Sequence, residues 1–213
     1  MDMARAPINL VVLLSGGGTT LQNFIDRIAD GSLNARIQVV LSSRADAFGL
    51  QRAQNHGIPT HVISSRKYKD ADAFSAKIDE TLDKYPVDLV CLAGFMCYWK
   101  IPDRYLGKVM NIHPALIPAF CGKGLYGHLV HEAVLRYGAK ISGCTVHFAD
   151  NEYDHGPIIV QRTVPVLDDD TPDSLAARVF KEECKAYPEA IRLFAEGRLK
   201  VEGRNVRIAT SGS

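Results

Sequence analysis

Ile8-Asn9-Leu10-Val11-Val12-Leu13-Leu14-Ser15-Gly16-Gly17-Gly18-Thr19-Thr20-Leu21-Gln22 is the stretch whose reading decides the fold. Ile8–Leu14 is an apolar run of strand length, the kind that is buried on both faces of a sheet. It breaks into three glycines and two threonines, after which Leu21, Phe24, Ile25 and Ile28 recur at helical spacing. Backbone N–H groups of a glycine turn at a helix N-terminus form an anion site, with the hydroxyls of Thr19 and Thr20 as added donors. The plainer reading, a strand–helix turn that binds nothing, stands beside it.

Outward from this unit the alternation continues. Strands are expected at 37–41, 60–63 and 87–93, with helices at 45–56 and 71–84 between them. Strands and helices alternating at this spacing give βαβ units with right-handed crossovers. The expected class is therefore α/β, a mainly parallel twisted sheet with helices on both faces. The loop is not a dinucleotide fingerprint, because Leu21 stands where the third glycine belongs and the second strand ends in Ser42-Ser43-Arg44 without a ribose-binding acid. It is not a P-loop, because no Gly-Lys-Ser/Thr follows. Phosphate without a dinucleotide is the functional reading.

After Pro118 the pattern changes. Three glycines in 119–127 mark a mobile loop, a candidate lid. A helix at 131–137 is followed by strands at 143–149 and 158–166, a long antiparallel hairpin around the acidic turn 150–157. The last helix starts from the cap Thr171-Pro172-Asp173 and runs to about Glu196. A short terminal hairpin is expected at 200–201 and 206–208, and a fraying tail at 209–213. One domain is expected over residues 1–213, with its core at about 8–208.

Composition narrows the function. In 213 residues, 46% hydrophobic and 23% charged, Lys plus Arg number 25 against 24 Asp plus Glu, so no global field attracts nucleic acid or an anionic membrane. No apolar run reaches a membrane span, and residues 1–7 show no export signal. The five cysteines, at 91, 97, 121, 144 and 184, are odd in number and irregularly spaced, which argues for reduced thiols in a cytoplasm.

The chemistry concentrates in Val109-Met110-Asn111-Ile112-His113-Pro114-Ala115-Leu116-Ile117-Pro118. Residues i and i+2 of a strand share a face, so Asn111 and His113 project side by side where the strand leaves the sheet. A neutral donor beside a titratable ring suits a carbonyl that develops negative charge. Asp154, in the turn Asp150-Asn151-Glu152-Tyr153-Asp154-His155-Gly156-Pro157, is expected to face His113, raise its pKa and keep it cationic. His128-x-x-His131-Glu132 lacks the second histidine of H-E-x-x-H and a third ligand, so no metal is expected.

Four motifs, in this order, carry a resemblance: Ser15-Gly16-Gly17-Gly18-Thr19-Thr20-Leu21-Gln22, Leu92-Ala93-Gly94-Phe95-Met96, Asn111-Ile112-His113-Pro114-Ala115-Leu116-Ile117-Pro118 and Asp154-His155-Gly156-Pro157. Over about residues 8–208 the chain resembles the phosphoribosylglycinamide formyltransferases of purine biosynthesis, a Rossmann-like folate-dependent family with an antiparallel C-terminal portion. The resemblance implies formyl transfer from 10-formyltetrahydrofolate to the amine of glycinamide ribonucleotide. It implies Asn111, His113 and Asp154 as the catalytic set. It assigns Gly18, Thr19, Thr20 and Glu183 to the ribonucleotide, and Met96, Cys97, Tyr98, Trp99, Asn111, Asp150, Asn151, Glu152 and Tyr153 to the folate. The implied partners are these small molecules, with neither nucleic acid nor membrane, and the chain is expected to be a monomer or homodimer.

Departures touch the folate tail and the lid. Cys97 and Ala71 stand where the family often has arginine, and the loop 120–128 is longer than in the best-known members. The glutamate tail is expected to meet Lys100 or one of Arg66, Lys67 and Lys69, or to be left in water. Rival readings are a formyltetrahydrofolate deformylase, a formyltransferase for another acceptor, and a non-catalytic nucleotide-binding α/β module. A deformylase is expected to carry an N-terminal regulatory domain and a methionyl-tRNA formyltransferase a basic C-terminal one. A binding module gives Asn111, His113 and Asp154 no reason to converge.

Overall fold

The computed structural model describes residues 6–210; the outermost residues of the expected tail, 211–213, lie outside them. The chain divides into two compact units, one up to Val109 and one from Met110 onward.

In the first unit β1 (Ile8–Leu14), β2 (Ala35–Ser42), β3 (Thr60–Val62) and β4 (Leu89–Leu92) lie in the order β3-β2-β1-β4, every pairing parallel. Leu10, Val11, Val12, Leu13 and Leu14 are all fully buried. Neighbouring residues of a strand point to opposite faces, so both faces of β1 are covered, as its unbroken apolar run requires. The helices are α1 (Thr19–Ala29), α2 (Phe48–Asn55) and α3 (Ala71–Leu82). α3 starts at an Asp70 cap whose carboxylate accepts from the Ala73 amide at 2.8 Å.

In the second unit β5 (Val109–His113), β6 (Ile141–Phe148), β7 (Ile158–Pro165), β8 (Leu199–Glu202) and β9 (Asn205–Ile208) run in the order β5-β6-β7-β9-β8. β5–β6, β6–β7 and β8–β9 are antiparallel, and β7–β9 is parallel. The α/β class, the parallel portion and the antiparallel C-terminal portion are as the pattern predicts. α4 (His128–Tyr137) starts three residues before the expected position. α5 (Pro172–Ala195) opens on the expected cap: the Thr171 hydroxyl accepts from Ser174 N–H, and Ser174 accepts from Thr171 N–H. It packs on β6 and β7, and the buried Tyr187 donates its hydroxyl to the Met110 carbonyl at 2.7 Å. That bond ties the long helix to the strand that carries Asn111 and His113.

Candidate active site

The glycine loop is held from outside itself. Gly18 caps α1 with φ 69°, and a Cβ there would lie 2.5 Å from the Gly49 Cα. Glycine is required twice over, by the left-handed backbone and by the approach of α2. α2 then fixes the loop through Gly49 N–H to the Gly16 carbonyl (3.0 Å) and Arg52 Nε to the Gly17 carbonyl (2.9 Å). A Cβ on Gly16 or Gly17 would meet nothing within 4 Å. The open side of the loop is therefore at Gly16 and Gly17, while Gly18 is committed to packing. Thr19 is exposed and Thr20 partly buried at the first turn of α1.

The second cluster is assembled on one face of β5 and β6. Asn111 lies opposite His147, and His113 opposite Thr145. Directly opposed antiparallel residues share a face, so two polar residues from each strand form a single patch. Asp154 enters it from the turn after β6. Its backbone is left-handed, φ 53°, which costs a non-glycine residue roughly 1–2 kcal/mol. Gly156, where a Cβ would strike the Phe148 carbonyl, lets the turn close that tightly.

The two oxygens of the Asp154 carboxylate divide the work. Oδ2 lies 3.5 Å from His113 Nδ1 and accepts from the Gly122 amide at 2.9 Å. Oδ1 lies 3.4 Å from Asn111 Nδ2 and 3.8 Å from His147 Nε2. Side-chain exposure is 4% for His113, 12% for Asp154 and 2% for His147, so these charges meet at low dielectric. Burial pushes the Asp154 carboxyl up, but His147, His113 and the Gly122 amide outweigh it and hold the group ionised, below its ordinary value.

His113 departs from expectation. Burial lowers its pKa more than Asp154 and the Phe120 carbonyl raise it, so the resting ring is held towards the neutral form and not kept cationic. Its Nε2 is 2.8 Å from the Phe120 carbonyl, which can only accept, so Nε2 carries the proton. Nδ1, facing Asp154, is then a free base.

The ribonucleotide candidate Glu183 stands partly buried on α5, its carboxyl pushed up by burial to about 7. It neighbours Cys144 of β6, whose thiol is raised to about 12 by burial, with the Glu183 charge adding to the effect. Among the folate candidates of the first unit, Met96 is exposed and its amide donates to Ser15 Oγ at 2.8 Å. Cys97 Sγ is 3.6 Å from Ser65 Oγ, and Tyr98 is partly buried. Trp99 is buried, its indole donating to Asp79 at 3.0 Å. In the second unit Asp150 accepts from the Glu152 amide and from His155 Nδ1, while Asn151, Glu152 and Tyr153 are exposed. His128 lies 3.7 Å from both Glu132 and Asp173, and His131 is buried.

Sequence reasoning missed His147, Thr145, Gly49 and Arg52. The signal for the first two was available: Thr145 and His147 alternate as polar residues inside an otherwise apolar strand. Gly49 and Arg52 gave none, since only the packing of α2 brings them to the loop.

Residues 8–191 match the formyl transferase family. This chain belongs to that family. It is 45% identical to glycinamide ribonucleotide transformylase 1 from Symbiobacterium toebii, with a TM-score of 0.90 over 96% of this chain and 95% of that one. It is 39% identical over 196 residues to the phosphoribosylglycinamide formyltransferase of Escherichia coli (strain K12), covering 91% of this chain and 90% of that protein. It is 43% identical over 201 residues to the trifunctional purine biosynthetic protein adenosine-3 of Bos taurus, covering 93% of this chain but 19% of the bovine length. The formyltransferase expected from the four motifs is met at the level of the family. All five cysteines of this family member are free thiols. No helix among the described residues is long and apolar enough to cross a membrane.

Proposed function

We propose that this chain transfers the formyl group of 10-formyltetrahydrofolate to the amine of glycinamide ribonucleotide, in the cytoplasm, as one formyltransferase domain over residues 1–213. The observation that carries the reading is the convergence of Asn111 and His113 on the largely buried Asp154 carboxylate in a formyl transferase family member.

The chemistry follows from the resting protonation states. A neutral amine attacks the formamide carbon and gives a tetrahedral centre whose oxygen becomes anionic. Asn111 Nδ2 donates to that oxygen. The proton lost by the amine goes to His113 Nδ1, the free base beside Asp154, and the new cation is stabilised by that carboxylate as the oxyanion forms. Delivery of the same proton to the leaving folate nitrogen returns His113 to neutrality. A preorganised donor of this kind typically contributes ~2.7–4 kcal/mol to the transition state.

For binding, the ribonucleotide phosphate takes the Gly16–Thr20 amides and hydroxyls, supported by the open space at Gly16 and Gly17. Glu183, whose carboxyl burial pushes up to about 7, receives the glycinamide end. The folate pterin takes residues 96–99 and 150–154, with Trp99 buried and its indole bonded to Asp79. Lys100 is engaged by Asp72 at 2.9 Å. With Lys69 lying 3.8 Å from Asp70, the glutamate tail is left to Arg66 and Lys67, on the short 3₁₀ turn Ser65–Lys67 that Cys97 faces, or to water.

The purified protein is to be assayed with 10-formyltetrahydrofolate and either glycinamide ribonucleotide or water as acceptor. Tetrahydrofolate formed only with the ribonucleotide is expected. Release of formate with water alone would make the chain a deformylase, and no turnover with either would leave a binding module.

A further inference from the structure

We propose that His147 is a positioning residue for formyl transfer: it holds the Asn111 amide with its NH2 group turned towards Asp154 and the reacting carbonyl. The inference rests on the function proposed above, because Asn111 is there the donor to the developing oxyanion.

The geometry fixes each hydrogen in turn. His147 Nδ1 lies 2.8 Å from the carbonyl of Phe148, which can only accept, so Nδ1 carries the ring proton. In the neutral ring Nε2 is then a bare acceptor. The atom it faces, 3.2 Å away, is Asn111 Nδ2, which can only donate. Asn111 lies opposite His147 across the β5–β6 ladder, so the contact is set by strand register and not by a flexible loop. The ring is buried.

The consequence lies in what remains free. An asparagine amide has two orientations that differ little in shape and are opposite in chemistry. With Nε2 taking one Nδ2 hydrogen, the other points towards Asp154 Oδ1 at 3.4 Å, a long contact that a developing oxyanion can replace. Without that acceptor the amide can flip and offer its oxygen where a donor is needed. Asp154 alone does not fix the amide, because its contact with Asn111 is long and its other oxygen is taken by the Gly122 amide. A His147→Leu variant removes the acceptor. A His147→Gln variant can return an amide oxygen near the position of Nε2.

The test is a double-mutant cycle read by kcat and KM, with an NMR readout that needs no activity. His147→Leu should lower kcat about 10-fold or more with both KM values within about 2-fold, and His147→Gln should recover kcat to within about 3-fold of wild type. In an Asn111→Ala background His147→Leu should have no further effect on kcat. Equal losses in the two backgrounds, or a Gln variant as impaired as Leu, would overturn the proposal. In the wild-type protein, ¹⁵N spectra should show His147 protonated at Nδ1 alone, and the Asn111 side-chain resonances should shift in the Leu variant. A proton on Nε2 in the wild type would overturn it whether or not turnover is observed. A wild type that turns over no formyl folate, with the NMR signature intact, would instead count against the proposed function.

Discussion

Between Ser15 and Thr20 the groups offered to a ligand are backbone amides and two hydroxyls, supplied by consecutive residues and braced by Gly49 and Arg52. Around Asp154 they are side chains from two strands and a turn, buried, titratable and bonded to one another. The glycine loop can be altered one Cβ at a time, and each alteration acts through space. The Asp154 cluster cannot be altered at one residue without changing the charge or orientation of the rest, because four groups meet a single carboxylate.

The largest effect is expected where the second region depends on one charge. Asp154→Asn should keep the fold and substrate affinities and lower kcat by roughly 10²-fold or more, because the cation formed at His113 loses its counter-ion. Steady-state kinetics within about threefold of wild type would reduce Asp154 to a turn residue.

Next comes a break in the brace of the first region. Gly18→Val meets both a φ of 69° and the Gly49 Cα, so it should destabilise the protein by at least about 2 kcal/mol and impair both substrates alike. Chemical denaturation measures this; an intact protein with only the ribonucleotide KM raised would mean that Gly18 serves the ligand directly.

Titration separates the regions further, since only the second contains buried imidazoles. His131 is lowered to about 4 by burial, then by His128 and His113, and His113 is lowered as well. In both cases the folded pKa lies below the unfolded one, so the unfolded chain takes up protons first on acidification. The stability of the neutral ring is fully present above about pH 6.5 and is lost below it, for His131 down to about 4. At pH 5 that loss is about 2 kcal/mol for His131. Urea unfolding at pH 8 and pH 5 should show it, and His131→Leu should shrink the difference between the two pH values. An unchanged difference would mean that His131 titrates freely.

A smaller and more selective effect belongs to the open side of the loop. Gly17→Ala places a methyl group where no protein atom lies within 4 Å, so it should raise the ribonucleotide KM about tenfold while sparing the folate KM and the unfolding midpoint. Equal effects on both substrates would remove the phosphate from this loop. The smallest change is expected for Lys100→Ala, because that lysine already pairs with Asp72 on an exposed surface. The folate KM should move by no more than about fivefold, and a larger, salt-insensitive loss would reveal Lys100 as a tail contact.

Much of this was written locally. Ile8–Leu14 and the glycine turn announce a buried strand entering a helix, and Thr171-Pro172-Asp173 announces the start of α5, because runs, caps and glycines act on neighbours a few residues away. The pairing of Asn111 with His113 was equally legible, since strand alternation places i and i+2 on one face. What only the tertiary structure decided was the state of those groups. The register of β5 on β6 brings His147 to Asn111, a left-handed Asp154 delivers one carboxylate to both histidines, and α2 reserves Gly18 for packing. A sequence names the titratable groups, but their protonation follows from how much water is removed and which partners replace it. That balance put His113 on the neutral side against the expectation from its nearest charge, because burial outweighs a single carboxylate 3.5 Å away.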